Sequence, residues 1–355
     1  MFIKRSQIGA VLLALFAAWN SPAVEVTSPG IEAVVRVHFP PASEGGLAVL
    51  VVRKGVVLHC KGYGRKNGGE PVTSRTGMGL ASVTKQFTAM CAALLIEEGK
   101  LSLGDKVSRH LPGLHLPTTG RDLLVRDLVW HTSGLANFIA TKEKTSIAEF
   151  KQQRGLRFLD NQTHAEWLAT MPLRRAPGMQ WEYTNSGYVL LARIVEVVAG
   201  RPFHEFQQER IFDVLGMADT TDSSRFNGSG NMITTLDDYL KWDRALWTGS
   251  LLEAKTATLL YQSGILDNGE PVGYGFGWRV SHENGQLVEM RHDGVGSPPG
   301  NSRNFVLRDV RNRITIALFA RENLRFTRAF RSEFGHRLLD QARSAASGAT
   351  PGDQD

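Results

Sequence analysis

Apolar residues recur along this chain in runs of different length and period, and each kind of run predicts a different element. The stretches at 47–52 and 56–60 are short and β-rich, parted by Arg53-Lys54-Gly55, the pattern of a hairpin. Residues 77–105, GMGLASVTKQFTAMCAALLIEEGKLSLGD, then read as one helix with Gly99 as its stop. That helix is apolar almost all the way round: Phe87, Met90, Cys91, Leu94, Leu95 and Ile96 cover several faces, and alanines fill the rest. Helices of this kind are buried. Yet its first turn carries Ser82 and, three residues on, Lys85.

The middle, 101–265, reads mainly as helices and loops. Helices are predicted over 121–130 and over 187–199, the second closed by Gly200. A third follows Thr235, where Thr235 and Asp238 form a capping-box pattern ahead of 239–247. The chain then returns to β. Asn284-Gly285 sits between two strand-like runs, a strong hairpin signal. Residues 305–307 and 314–320 are two further strands, and 332–342 a last helix. Strands at both ends around a helical middle predict an α+β fold, with an antiparallel sheet built from both termini, flanked by helices and carrying a large helical insertion. The sheet part takes about 24–100 and 266–343 and the helical part about 101–265, together one catalytic domain over 24–343. A cleft between the two parts is the natural ligand site. Residues 344–355, small and polar, predict a flexible tail.

The N-terminus is a separate object. Lys4 and Arg5 precede an apolar run over 8–19 and then Ser21-Pro22-Ala23, the layout of a secretory signal cut after Ala23. The run is too short to span a bilayer, which needs about 20 apolar residues. A mature protein without a stable membrane anchor, periplasmic or secreted, is therefore expected. Cleavage removes two basic residues and no acidic one, so the net charge of +6 falls to +4. So mild a bias, without a Lys/Arg run or a basic-aromatic stripe, speaks against nucleic acid as a partner. Of 355 residues 42% are hydrophobic and 21% charged, as in ordinary globular proteins. Cys60 and Cys91 are the only cysteines; export permits a disulfide between them, but each falls in an apolar element, and two free buried thiols are expected.

Three sets of residues could do chemistry. Ser82-x-x-Lys85 is the only such pattern in the chain, and on a helix the two side chains share a face. Serine needs a base to take its proton. Lysine can serve only as the neutral amine, which means lowering its pKa from about 10.4 towards 7. Burial and the positive end of a helix both push that way. Tyr183-Thr184-Asn185, the only Y-x-N, falls in a loop before a helix; the phenol can relay a proton, and the amide can hold a substrate and steady the lysine. A packed aromatic beside an N-cap asparagine explains the same residues without chemistry. His292-Asp293-Gly294 ends a predicted strand. There His292 can offer a donor or positive charge to a substrate carboxylate, Gly294 lets substrate lie close, and the Val295 N–H can face an oxyanion together with that of Ser82. No H-E-x-x-H or G-x-S-x-G pattern is present, and the histidines do not pair at metal-ligand spacing.

In this order, about 100 residues apart, the three sets resemble those of the serine β-lactamase and penicillin-binding-protein superfamily. The similar branch includes class C β-lactamases, D,D-carboxypeptidases, D-aminopeptidases and related esterases. The resemblance extends over nearly the whole mature chain and includes WHTSGL at 130–135, LGMADT, TTLDDYLKW and YGFGW. It implies Ser82 as the acylated nucleophile, with Lys85 and Tyr183 sharing the proton work. Asn185 would bind the substrate amide, His292 and Gly294 would line the strand side, and His131 would fix a loop. It implies no cofactor and no metal, and a small-molecule or peptide substrate. A D-amino-acid-containing peptide or small ester is the expected one, since class C β-lactamases carry lysine where this chain has His292. The alternatives are a β-lactamase, or a penicillin- or peptidoglycan-binding sensor without turnover. The two prolines of VGSPPGNSR depart from the family's glycine-rich turn and bear on the shape of the pocket.

Overall fold

The computed structural model describes residues 25–66, 69–222, 228–296, 301–322 and 325–345. The expected signal at 1–23, nearly all of the expected tail at 344–355, and Pro298 and Pro299 lie outside the described residues.

A six-stranded antiparallel sheet forms the spine. Its strands are β1 (Gly46–Arg53), β2 (Val56–Gly64), β3 (Arg279–Glu283), β4 (Gln286–Val295), β5 (Arg303–Asp309) and β6 (Ile314–Arg321), in the spatial order β2-β1-β6-β5-β4-β3. The first strand thus pairs with the last, Leu47 opposite Ala320 and Val51 opposite Ile316, as expected for a sheet built from both ends of the chain. The run LAVLVV has no polar alternation because both its faces are covered. Leu47, Val49 and Val51 pack with helices α1 (Pro29–His38) and α7 (Arg328–Ser344) through Ile31, Val35, Phe334 and Leu338. Ala48, Leu50 and Val52 join the larger core on the other face. The Asn284-Gly285 hairpin forms, with φ of 50° and 76°, the left-handed pair that a two-residue turn needs.

The further long helices are α2 (Lys85–Glu97), within the range expected of the sheet part, and α3 (Thr141–Gln153), α4 (Asn161–Thr170), α5 (Asn185–Ala199) and α6 (Leu236–Thr248) of the helical part. Here the structure corrects three sequence expectations. The helix expected over 77–105 is in fact three pieces. Met78–Gly79 pairs with Ile233–Thr234, Ala81–Thr84 forms a 3₁₀ turn, and only then does α2 begin. Tertiary bonds override helix propensity there: Leu80 N–H donates to Met232 O at 2.8 Å, and Asn304 Nδ2 donates to both Gly79 O and Leu80 O at 2.8 Å. The helix expected over 121–130 shrinks to Val125–Val129, because Arg121 is drawn away into ion pairs with Asp127 and Asp267. Thr235 does cap α6, accepting from Asp238 N–H at 3.1 Å. The Asp238 carboxylate, however, accepts from Asp219 N–H and Thr220 Oγ1 and pairs with Lys241, tying α6 to the preceding loop.

Cys60 and Cys91 are both buried and free. No helix among the described residues is long and apolar enough to cross a membrane. Burial holds both thiols protonated, Cys91 well above its ordinary pKa and Cys60 pushed up to about 12. Both are therefore expected to resist a thiol reagent in the native protein and to react fully in denaturant, since the thiolate is the reactive form; a thiol titration with and without guanidinium checks this.

Candidate active site

Ser82 lies in the 3₁₀ turn and lines a cleft of about 880 Å³ between sheet and helical half. In a 3₁₀ turn residues i and i+3 eclipse, so Lys85 stands directly over Ser82. Ala81, just before the serine, has φ of +48°. A residue with a Cβ is strained there, as happens where function dictates backbone.

Lys85 is fully buried. Its Nζ donates to Asn185 Oδ1 at 2.7 Å and to the Ser229 carbonyl at 2.7 Å, and lies 3.3 Å from Ser82 Oγ. The first two partners are acceptors only, so they claim two N–H groups. The third contact is a hydroxyl, which can itself donate. Burial pushes the pKa of Lys85 well below its ordinary value. A neutral amine satisfies every contact: two N–H groups for the two carbonyls, and the lone pair for Ser82 O–H. The faces of Tyr183 and Tyr188, 5.0 and 5.7 Å from Nζ, favour a cation, but a cation–π contact supplies only ~2 kcal/mol when desolvated, less than the burial of an ammonium costs.

Tyr183 comes from the loop ahead of α5, with its ring against His131 at 4.3 Å. Its hydroxyl is buried without a formed hydrogen bond, although Ser82 is near enough to act on it; burial dominates and raises its pKa, so it stays a phenol. Asn185 opens α5. Its amide faces the lysine through Oδ1 and donates through Nδ2 to Asn137 Oδ1 at 3.3 Å. His131 accepts from Thr184 N–H at 3.3 Å while its carbonyl accepts from Glu182 N–H at 2.9 Å. This is the loop-fixing place expected of it, and burial keeps its ring neutral.

The third motif differs from expectation in two ways. His292 does line the cleft, but burial pushes its pKa down to about 3. Its Nδ1–H donates to Asp293 O at 2.7 Å, which leaves Nε2 to accept from Tyr274 O–H at 3.0 Å. A neutral ring with both nitrogens engaged supplies no positive charge. Gly294, in turn, makes room for the protein's own backbone: a Cβ there would meet Leu80 O at 2.4 Å. Gly294→Ala is thus expected to displace the segment leading into Ser82 and to lower acylation at least tenfold, with about 1–3 kcal/mol of stability lost to overpacking; kinetics alongside a melting curve checks both. Val295, 58% exposed, closes the cleft at the end of β4.

The positive charge at this wall comes from a residue outside the three motifs. Arg279, at the start of β3, lines the cleft with its guanidinium 5.0 Å from the Trp181 ring, and no carboxylate of the described residues is within ion-pair distance. Lys144, Arg328 and Arg331 also line the cleft, against a single carboxylate among the described residues, Asp293, which Arg328 and Arg331 share at 3.3 and 3.2 Å. Arg279 follows YGFGW on the first strand of the Asn-Gly hairpin, which is a signal, but only strand pairing shows that it stands beside β4. The Ser229 carbonyl leaves no signal in the sequence, being backbone.

A protein-family model described as Beta-lactamase matches residues 38–336. Penicillin-binding protein 4* of Bacillus subtilis (strain 168) is 28% identical over 345 residues, covering 82% of this chain and 72% of its own. Protein flp of Staphylococcus aureus (strain NCTC 8325 / PS 47) is 30% identical over 188 residues, 52% of this chain but only 35% of its own length. Among solved structures, the D-amino acid amidase from Ochrobactrum anthropi SV3 superposes with a TM-score of 0.68 at 21% identity, over 89% of this chain and 98% of that one; at that identity the likeness speaks for the fold.

Proposed function

The chain belongs to the Beta-lactamase family, and on that premise we propose that it is an exported serine hydrolase working through an acyl-enzyme on Ser82. What supports this most is the arrangement around Lys85, whose two short bonds to carbonyl acceptors leave its third direction for the Ser82 hydroxyl. In the acylation step Ser82 Oγ bonds to the substrate carbonyl carbon as its proton passes to Lys85 Nζ. The oxyanion that forms is met by the backbone N–H groups of Ser82 and Val295. On collapse, the bond to the leaving nitrogen or oxygen breaks, and the proton returns from Lys85 through the Tyr183 phenol to the leaving group. Water then attacks the ester, with the same pair as base and acid, and frees Ser82.

The substrate we infer is a D-amino-acid-containing peptide with a free carboxylate, or a small ester. The basic lining of the cleft supports the carboxylate, and Arg279 takes the part expected of His292. Charge-assisted hydrogen bonds contribute about 1.5–3 kcal/mol. Amidating the peptide's C-terminus is therefore expected to lower kcat/KM by roughly 10- to 100-fold. In Arg279→Ala the free and amidated peptides should become nearly equal. A preference that survives Arg279→Ala would reject this assignment. Turnover of a small ester by wild type and its loss in Ser82→Ala tests the function itself; an ester hydrolysed equally fast by both would reject it. Export is read on the mature N-terminus, expected at Val24.

A further inference from the structure

We propose that Asn137 is a positioning residue for the Ser82–Lys85 pair, fixing the side-chain amide of Asn185 so that its oxygen, not its nitrogen, faces Lys85. The inference rests on reading Lys85 as the base. The two ends of an asparagine amide are alike in shape and opposite in polarity, so that only the surrounding bonds decide which way it points.

Here the decision can be traced to backbone groups, which have no such ambiguity. Asn185 N–H is a donor only, and it points at one end of the Asn137 amide at 3.3 Å; that end must be Oδ1. The Tyr183 carbonyl is an acceptor only, 3.5 Å from the other end, which must be Nδ2. With Asn137 so oriented, the same Oδ1 accepts from Asn185 Nδ2 at 3.3 Å. The Asn185 oxygen is then left for Lys85, at 2.7 Å. A flipped Asn185 would set its oxygen against the Asn137 oxygen and its NH₂ group against Lys85, whose lone pair would then turn away from Ser82. The polarity of the base is thus relayed from the peptide backbone through two amides.

The loop bearing Asn137 is itself held. His131 accepts from Thr184 N–H, the His131 carbonyl accepts from Glu182 N–H, and Phe138 N–H donates to Ser186 Oγ at 3.1 Å. Asn137 and His131 between them also take the first N–H groups at the start of α5, which have no partner inside a helix. The stretch WHTSGL, followed by Ala136-Asn137-Phe138, thereby clamps 182–186 in register with Lys85.

The pH dependence of acylation in Asn137→Ala and Asn137→Asp tests this. The groups facing Lys85 are Ser82, Tyr183 and Tyr188, with His131 from the clamp loop and His292 from β4 acting on it at longer range, and no carboxylate is among those partners. Asn137→Ala removes the acceptor, frees the Asn185 amide to turn, and is expected to slow acylation at least tenfold. Asn137→Asp keeps an acceptor for both Asn185 donors but adds a negative charge beside the amide that Lys85 bonds. It should acylate faster than Asn137→Ala at high pH, with the acid limb of its rate profile moved up by about one pH unit, the direction in which an opposite charge shifts a lysine. A residue that only shaped the loop would lower the rate without moving that limb. Wild-type rates in Asn137→Ala, or an unmoved limb in Asn137→Asp, overturn the proposal. Should Asn137→Ala not fold, the limb of Asn137→Asp decides alone. Failure of the underlying serine–lysine reading has a different signature: wild type itself would show no Ser82-dependent acylation in the same experiment.

Discussion

Lys85→Ala is expected to lower the acylation rate by about 10³-fold or more, since general-base assistance contributes typically 10²–10⁴ and Tyr183, also beside Ser82, is held as a phenol by burial. The fold should persist. Losing the lysine leaves the Asn185 and Ser229 carbonyls without their donor, at a cost of about 1–3 kcal/mol for each buried group, while the desolvation of a lysine is relieved. The pH dependence has a definite sign. A lysine whose folded pKa is depressed is neutral above that pKa, so acylation is present above it and lost as pH falls through it. Stability follows the same direction: between the depressed pKa and the unfolded value near about 10.4, the unfolded chain binds the extra proton and wild type gains stability as pH rises. Denaturation of wild type and Lys85→Ala across that window should therefore show the difference between them tilting towards wild type with rising pH. A flat difference, or acylation unimpaired in the variant, contradicts the assignment.

The largest effect on stability is expected at a site remote from the chemistry. Arg308 on β5 and Asp243 on α6 are both almost completely buried, with Nε 3.2 Å from Oδ1. The guanidinium stacks 4.0 Å over Trp247, Thr315 Oγ1 donates to Asp243 at 2.8 Å, and Trp247 Nε1 donates to Thr315 at 3.0 Å. The set pins α6 to the sheet, and so fixes the helical half against the strands that bear His292 and Gly294. Arg308→Ala leaves a buried carboxylate without its counter-charge, which costs about 3–5 kcal/mol. Burial already raises the Asp243 pKa, with Arg308 the chief influence holding it down. Without Arg308 it rises further. A folded pKa above the unfolded one means that stability falls as pH rises, so the loss should be larger at pH 8 than at pH 5. Equal losses at both would show that the carboxyl is not the strained group.

Much of the fold is legible in the sequence because it depends on local rules. The Asn284-Gly285 turn, the Thr235 cap and the runs of β1 and β6 each follow from a few neighbouring residues. The site motifs are legible for a related reason: Ser82, Lys85, Tyr183 and Asn185 come together as expected, Lys85 within reach of Ser82 and bonded to Asn185. What is not legible depends on distant partners. The helix over 77–105 is broken because Asn304 and Met232 bond the backbone groups of residues 79–80. His292 gives up its expected charge because burial disfavours the imidazolium, and Tyr274 and its own strand engage both ring nitrogens. Gly294 makes room for the Leu80 carbonyl, which comes from the other end of the chain. Arg279 acquires meaning only beside β4. No periodicity encodes such contacts.

A covalent intermediate on Ser82 underlies every step proposed for this site. The intact mass of the mature protein after brief exposure to a penicillin or an activated ester tests it most directly, with Ser82→Ala alongside. The expected result is a wild-type mass raised by the acyl group and an unmodified Ser82→Ala protein. An adduct that persists in Ser82→Ala, or ester turnover with no adduct at any quench time and no loss in that variant, would contradict it.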